Sequence, residues 1–142
     1  MQTDDGMETS HYDRSDLIIT GVSRSGKTPT SLYLSLHYGL FVSNYPLTTE
    51  ELNQKRLPEV LVQQRDKVFG LTIEPQRLLQ IRQERYRGDS YSSAQACQTE
   101  VAQAENIFRT ARLPYLNTTR MSVEEIGATI VHKAGLIRRV TL

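Results

Sequence analysis

The stretch LIITGVSRSGKTPTSLYLSLHYG (residues 17–39) decides how the rest of the chain reads. Leu17, Ile18, Ile19 and Thr20 make a short β-rich run, the pattern of a strand buried on both faces. From Gly26 to Tyr38 a helix is expected, with Leu32 and Leu36 four residues apart and Gly39 as its stop. Pro29 is tolerated because it falls in the first turn, where its missing N–H has no intrahelical acceptor to lose. Between strand and helix lies Gly21-Val22-Ser23-Arg24-Ser25-Gly26-Lys27-Thr28, a complete G-x-x-x-x-G-K-[ST] sequence in the strand–loop–helix setting it requires.

Each fixed position has a chemical reason. Gly21 and Gly26 permit backbone conformations that turn successive N–H groups toward one anion. The following helix points its positive end at the same place. Lys27 adds a charge on the terminal phosphates, and the Thr28 hydroxyl suits Mg²⁺. Arg24 is either a second cation on this rim or a solvated surface arginine.

Outward from this unit, short apolar runs alternate with amphipathic stretches. Strands are expected at Leu40 to Tyr45, Val68 to Ile73 and Tyr115 to Thr118. A short helix is expected over 48–57, one from Pro75 to about Arg87, and a long one from about Ser92 to Arg112, with a loop at 87–90. The long helix carries Cys97, Val101, Ala104, Phe108 and Ala111 on one face. Ser122 and Glu125 form a capping box for a last helix that buries Val123, Ile126, Ile130 and Ala134 and ends at Gly135. This alternation predicts an α/β domain, a three-layer P-loop kinase-like fold with a mainly parallel sheet. Ligands of such sheets bind beyond the carboxyl ends of the strands, so the loops after residues 20, 45, 73 and 118 share one functional rim.

Composition bounds the alternatives. The 142 residues suffice for one domain, and 17 Lys and Arg against 16 Asp and Glu give no field that favours nucleic acid or membrane. The lone Cys97 excludes a disulfide framework, and His11, His37 and His132 show no metal-ligand spacing. No apolar run is long enough to span a membrane and no leader is visible, so a cytoplasmic protein is expected. Residues 1–16 hold Asp4, Asp5, Glu8, Asp13 and Asp16 against Arg14, leaving −4 there and +5 over the remainder. Residues 1–15 therefore read as a solvated tail or linker remnant, and 16–142 as the nucleotide-binding domain.

Arg77, Arg82 and Arg85 on the helix from Pro75, with Arg87 beyond, could clamp phosphates or form a solvated face pairing with Glu74 and Glu84. No expected strand ends in the acidic residue of a Walker B motif, and no N-K-x-D sequence selects guanine, which favours a small P-loop kinase over motor ATPases and GTPases. In that class Leu116 to Thr119 would lie near the adenine. Glu74 is the nearest carboxylate for a base or metal shell, with helix capping as the alternative. Tyr86 and Tyr91 could close over a nucleotide or simply pack.

GVSRSGKTPTSLYLS (residues 21–35), Asn44-Tyr45-Pro46-Leu47, FGLTIEPQRLLQIRQER (residues 69–85), Ser90-Tyr91 and YLNTTRMSVEEIGATI (residues 115–130) together resemble the phosphoenolpyruvate synthetase regulatory proteins and their relatives that act on pyruvate, phosphate dikinase. The resemblance implies a bifunctional serine/threonine kinase and phosphorylase. Such an enzyme uses ADP, with Mg²⁺, to inactivate its target by phosphorylating a threonine, and inorganic phosphate to reverse this with release of pyrophosphate. It implies Lys27 at the ADP β-phosphate, backbone donors from Ser23 to Thr28, and Arg77, Arg82 and Arg85 at the acceptor or leaving phosphate. Members are about twice this length, so the chain reads as a C-terminal half cut near Thr3-Asp4-Asp5-Gly6. The residues alone leave open a small-molecule P-loop kinase, a non-catalytic nucleotide sensor, and a homo-oligomer.

Overall fold

Two strands of this chain, β1 (Leu17–Gly21) and β3 (Val68–Thr72), are buried along their whole length, and everything else is arranged around them. The computed structural model describes residues 11–85 and 93–135. The loop expected at 87–90, and Tyr86, Tyr91 and Arg87, lie outside the described residues. Between the central strands come α1 (Lys27–Tyr38), β2 (Val42–Pro46), α2 (Thr49–Gln54), α3 (Glu59–Gln63) and a 3-10 turn (Arg65–Lys67). After β3 follow α4 (Pro75–Arg85), α5 (Ala94–Ala111), β4 (Tyr115–Asn117) and α6 (Val123–Ala134).

The four strands form one parallel sheet in the order β2-β1-β3-β4. Alternate residues of β1 feed two cores. Ile18 joins Val101, Ala104, Ile107 and Phe108 of α5 and Leu52 and Leu61 of α2 and α3, while Leu17 and Ile19 meet Leu34 of α1 and Ile126 and Ile130 of α6. Helices thus cover both faces, the three-layer α/β arrangement expected from the alternation. The chain runs from β1 to β2 on one side and returns to β3 on the other. That reversal opens a crevice at the carboxyl end of β1, where ligands of such sheets bind.

Several local expectations shift. Strand β2 starts two residues late and includes Pro46, tolerable because β2 is at the edge of the sheet, with no ladder partner on its outer side among the described residues. The helix expected over 48–57 stops at Gln54, and α3 and the 3-10 turn follow it unanticipated. Leu32 and Leu36, which suggested α1, are 58% and 71% exposed; the helix instead buries Lys27, Thr30, Ser31 and Leu34. In α6 the capping box of Ser122 and Glu125 is present and Ile126 and Ile130 are buried, but Ala134 is exposed. The segment read as a tail is described from residue 11: residues 11–14 form a helical turn, and Lys67 Nζ donates to the Tyr12 and Asp13 carbonyls at 2.9 and 2.8 Å. Ser15 is buried against Ser43. Among the described residues no helix is long and apolar enough to cross a membrane.

Candidate functional site

The phosphate-loop sequence occupies the crevice. Gly21 ends β1 so close to β3 that a Cβ there would lie 2.4 Å from the Leu71 carbonyl oxygen. Arg24 (φ 69°) and Gly26 (φ 101°) then take left-handed conformations that turn the chain into α1. Gly26 is the N-cap of α1 and supplies no side-chain hydrogen bond to it. By contrast, α2 and α6 have complete capping boxes, from Thr48 with Glu51 and from Ser122 with Glu125. The first N–H groups of α1 therefore have neither an intrahelical acceptor nor a capping side chain, and no acidic residue lies in its first turn. Such a helix start attracts an anion.

A cleft of about 230 Å³ opens there, lined by Arg24, Gly26, Lys27, Thr28, Pro29 and Ile81. Among the described residues no carboxylate lines it. Lys27 is buried and folds back so that Nζ donates to the Val22 carbonyl at 2.6 Å. Burial first, then the positive charges of Arg82 and Arg24, lower its pKa to about 8. Thr28 is exposed at the mouth.

The loop is held from beneath by neutral and charged contacts. Ser25 Oγ donates to the Val22 carbonyl at 2.8 Å. Thr118, just beyond β4, has its hydroxyl 3.1 Å from the Ser25 carbonyl and 3.2 Å from that of Thr72. Ser31 on α1 donates to the Lys27 carbonyl at 2.7 Å and also meets Asn44 of β2. Arg82 reaches under the loop from α4, with Nη2 3.1 Å from Ser23 Oγ and 2.9 Å from Glu100 of α5.

The residues singled out in the sequence thus separate by position. Arg24, Gly26, Lys27 and Thr28 line the cleft; Gly21, Val22 and Ser25 are buried behind it; Ser23 joins it to Arg82. Arg77 is exposed, 3.2 Å from Gln80, and stands one turn before Ile81 on the same side of α4. Arg82 is fully buried, which removes it from the solvated face that was one reading of it. The side chain of Arg85 lies outside the described residues. Glu74 pairs with Arg120 at 2.9 Å, and its N–H donates to Thr119 Oγ1. His37 stacks on Tyr33, and among the described residues no cluster of His, Cys, Asp and Glu could hold a metal. Ile81, Glu100 and the bracing role of Thr118 were missed; the polar ending of the fourth strand, Asn117-Thr118-Thr119, was the only local signal for any of them.

The kinase/pyrophosphorylase family model matches residues 1–131. A protein of Halorhodospira halophila, named phosphoenolpyruvate synthase regulatory protein, is 53% identical over 137 residues, 96% of this chain and 50% of its own length. A relative of the same name from Acinetobacter baylyi is 51% identical over 140 residues, 99% of this chain and again 50% of its own. The chain thus spans about half the length of the curated relatives it matches. With a match over most of its residues, the chain belongs to the kinase/pyrophosphorylase family.

Proposed function

We propose that this chain carries the phosphate-binding site of a bifunctional enzyme that regulates phosphoenolpyruvate synthase, with pyruvate, phosphate dikinase as the alternative target. In one direction the hydroxyl of a target threonine attacks the β-phosphorus of ADP. The bond between that phosphorus and the bridging oxygen breaks, AMP leaves, and the hydroxyl proton is lost. In the other, an oxygen of inorganic phosphate attacks the phosphothreonine phosphorus; the bond to the threonine oxygen breaks, pyrophosphate forms, and the threonine regains a proton. Both reactions need one place that holds two linked phosphates in line with a threonine oxygen.

The observation that supports this reading is the uncapped start of α1 beside the buried Lys27. Backbone N–H groups from Ser23 to Thr28 would hold the diphosphate, and Lys27 would turn from the Val22 carbonyl to its β-phosphate. Arg77 and Arg85 are assigned to the acceptor or leaving phosphate. The donor set fits Mg²⁺, which takes a hydroxyl such as that of Thr28 together with phosphate oxygens and water. When bound, the ion would neutralise charge on the transferring group.

Incubation of the full-length protein with ADP, Mg²⁺ and the synthase should yield AMP and a phosphothreonine. Transfer from ATP alone, or an unmodified synthase, overturns the assignment. In this assay Lys27→Ala should abolish transfer while circular dichroism shows the fold retained. Among the described residues the cleft is lined by no carboxylate, which favours one second reading, a nucleotide-sensing domain without chemistry. Tight ADP binding with no transfer by the full-length protein would select it.

A further inference from the structure

Arg82 is adjacent in sequence to Ile81, which lines the cleft, yet successive residues on a helix point about 100° apart. The turn takes Arg82 into the interior. Its side chain is wholly inaccessible, and its guanidinium is shared between Glu100 on α5 and Ser23 at the front of the phosphate loop. The same nitrogen lies 3.4 Å from the Ser23 carbonyl oxygen. To touch a phosphate in the cleft it would have to abandon its charge-assisted contact with Glu100, whose side chain is only 17% exposed, and giving up that partly buried pair carries a cost. Ser23 opens the turn that puts Arg24 in its left-handed conformation, so fixing Ser23 fixes how the next N–H groups face the cleft.

We propose that Arg82, oriented by Glu100, is a positioning residue that shapes the phosphate loop through Ser23 and does not itself contact the phosphates. The proposal rests on the reading that this loop binds a diphosphate, and it revises what Arg82 does there. A phosphate clamp and a brace respond oppositely to loss of Glu100. A clamp would be released toward the ligand and bind it as well or better. A brace would lose its orientation.

Titration of ADP with Mg²⁺ into the full-length protein, followed calorimetrically, separates the two. Glu100→Gln should weaken binding roughly fivefold, as expected for coupled neighbours, and Glu100→Asp should restore part of the loss. Ser23→Ala, a change in the loop that leaves the helix pairing untouched, should weaken binding in the same direction. The double variant should be no weaker than the weaker single one. Unchanged or tighter binding by Glu100→Gln, or fully additive losses, overturns the proposal. A wild-type protein that binds no ADP would instead defeat the diphosphate reading. The brace is then read without ligand, from the backbone amide resonances of Ser23 and Arg24. Glu100→Gln should move both, and unmoved resonances overturn the brace by themselves.

Discussion

Lys27 holds a positive charge where burial and two arginines oppose it, so its charge carries an electrostatic cost in the folded protein. Its folded pKa of about 8 lies below the ordinary lysine value of 10.5, so between these two pH values the unfolded chain binds more protons than the folded one. The contribution of this group to stability therefore rises as pH climbs from about 8 toward 10.5, and at neutral pH the folded state bears the full penalty. That net penalty corresponds to about 3 kcal/mol, while removing the ammonium takes from the Val22 carbonyl one of its two donors, a loss of about 1 kcal/mol. Lys27→Met should accordingly raise the ligand-free stability by about 2 kcal/mol at pH 7, with the gain shrinking above pH 8. Urea midpoints of both proteins across pH 6.5 to 10 check this. A variant less stable than wild type at pH 7 would mean that the hydrogen bond outweighs the buried charge. An arriving phosphate relieves the same penalty, so anion affinity should fall as pH rises past 8.

Helices α1 and α6 meet at Gly127, where a Cβ would come within 2.7 Å of the Tyr33 ring. Gly127→Ala gains about 1 kcal/mol of helix propensity but must push that ring aside, an overpacking of about 1–3 kcal/mol. The expected outcome is a net loss of about 1 kcal/mol, read as a lower denaturation midpoint with an unchanged slope. No signal in the sequence marks this glycine as a contact, because the partner lies on another helix. Elements defined by local chemistry were legible: the capping box of Ser122 and Glu125, the αL stops at Gly39 and Gly135, and the apolar face of α5. The buried side of α1 was not. Its inner face carries Lys27, Thr30 and Ser31, polar residues made tolerable there in part by Ser31 bonding the Lys27 carbonyl and Asn44, while two leucines lie outside. Helix α3 is five residues long, too short to show a period, and is fixed by bonds to the Pro58 carbonyl. The site divides the same way. The loop is contiguous and could be read directly; its supports at Arg82, Glu100 and Thr118 come from distant segments that only the fold unites.

Those supports make the loop the point where most of the molecule is joined. Thr118 ties it to the ends of β3 and β4, Ser31 and Asn44 tie α1 to β2, and Arg82 ties α4 and α5 to Ser23. A ligand seated there should consequently stabilise the whole domain and not the loop alone. At a concentration 100 times its dissociation constant, the mass-action gain is about 2.7 kcal/mol, which for a chain of this size raises the melting temperature by roughly 5–12 °C. ADP with Mg²⁺ should produce this shift in wild type, and little or none in Lys27→Met, although that variant starts from the higher value. Hydrogen exchange distinguishes global from local stabilisation. The Gly70 N–H, bonded to the Pro114 carbonyl at 2.9 Å, lies in the middle of β3, removed from the contacts that brace the loop. If it slows on ligand addition together with the amides of β1, the loop is coupled to the sheet as these contacts require. Slowing confined to residues 22–28 would show that the supports do not transmit binding.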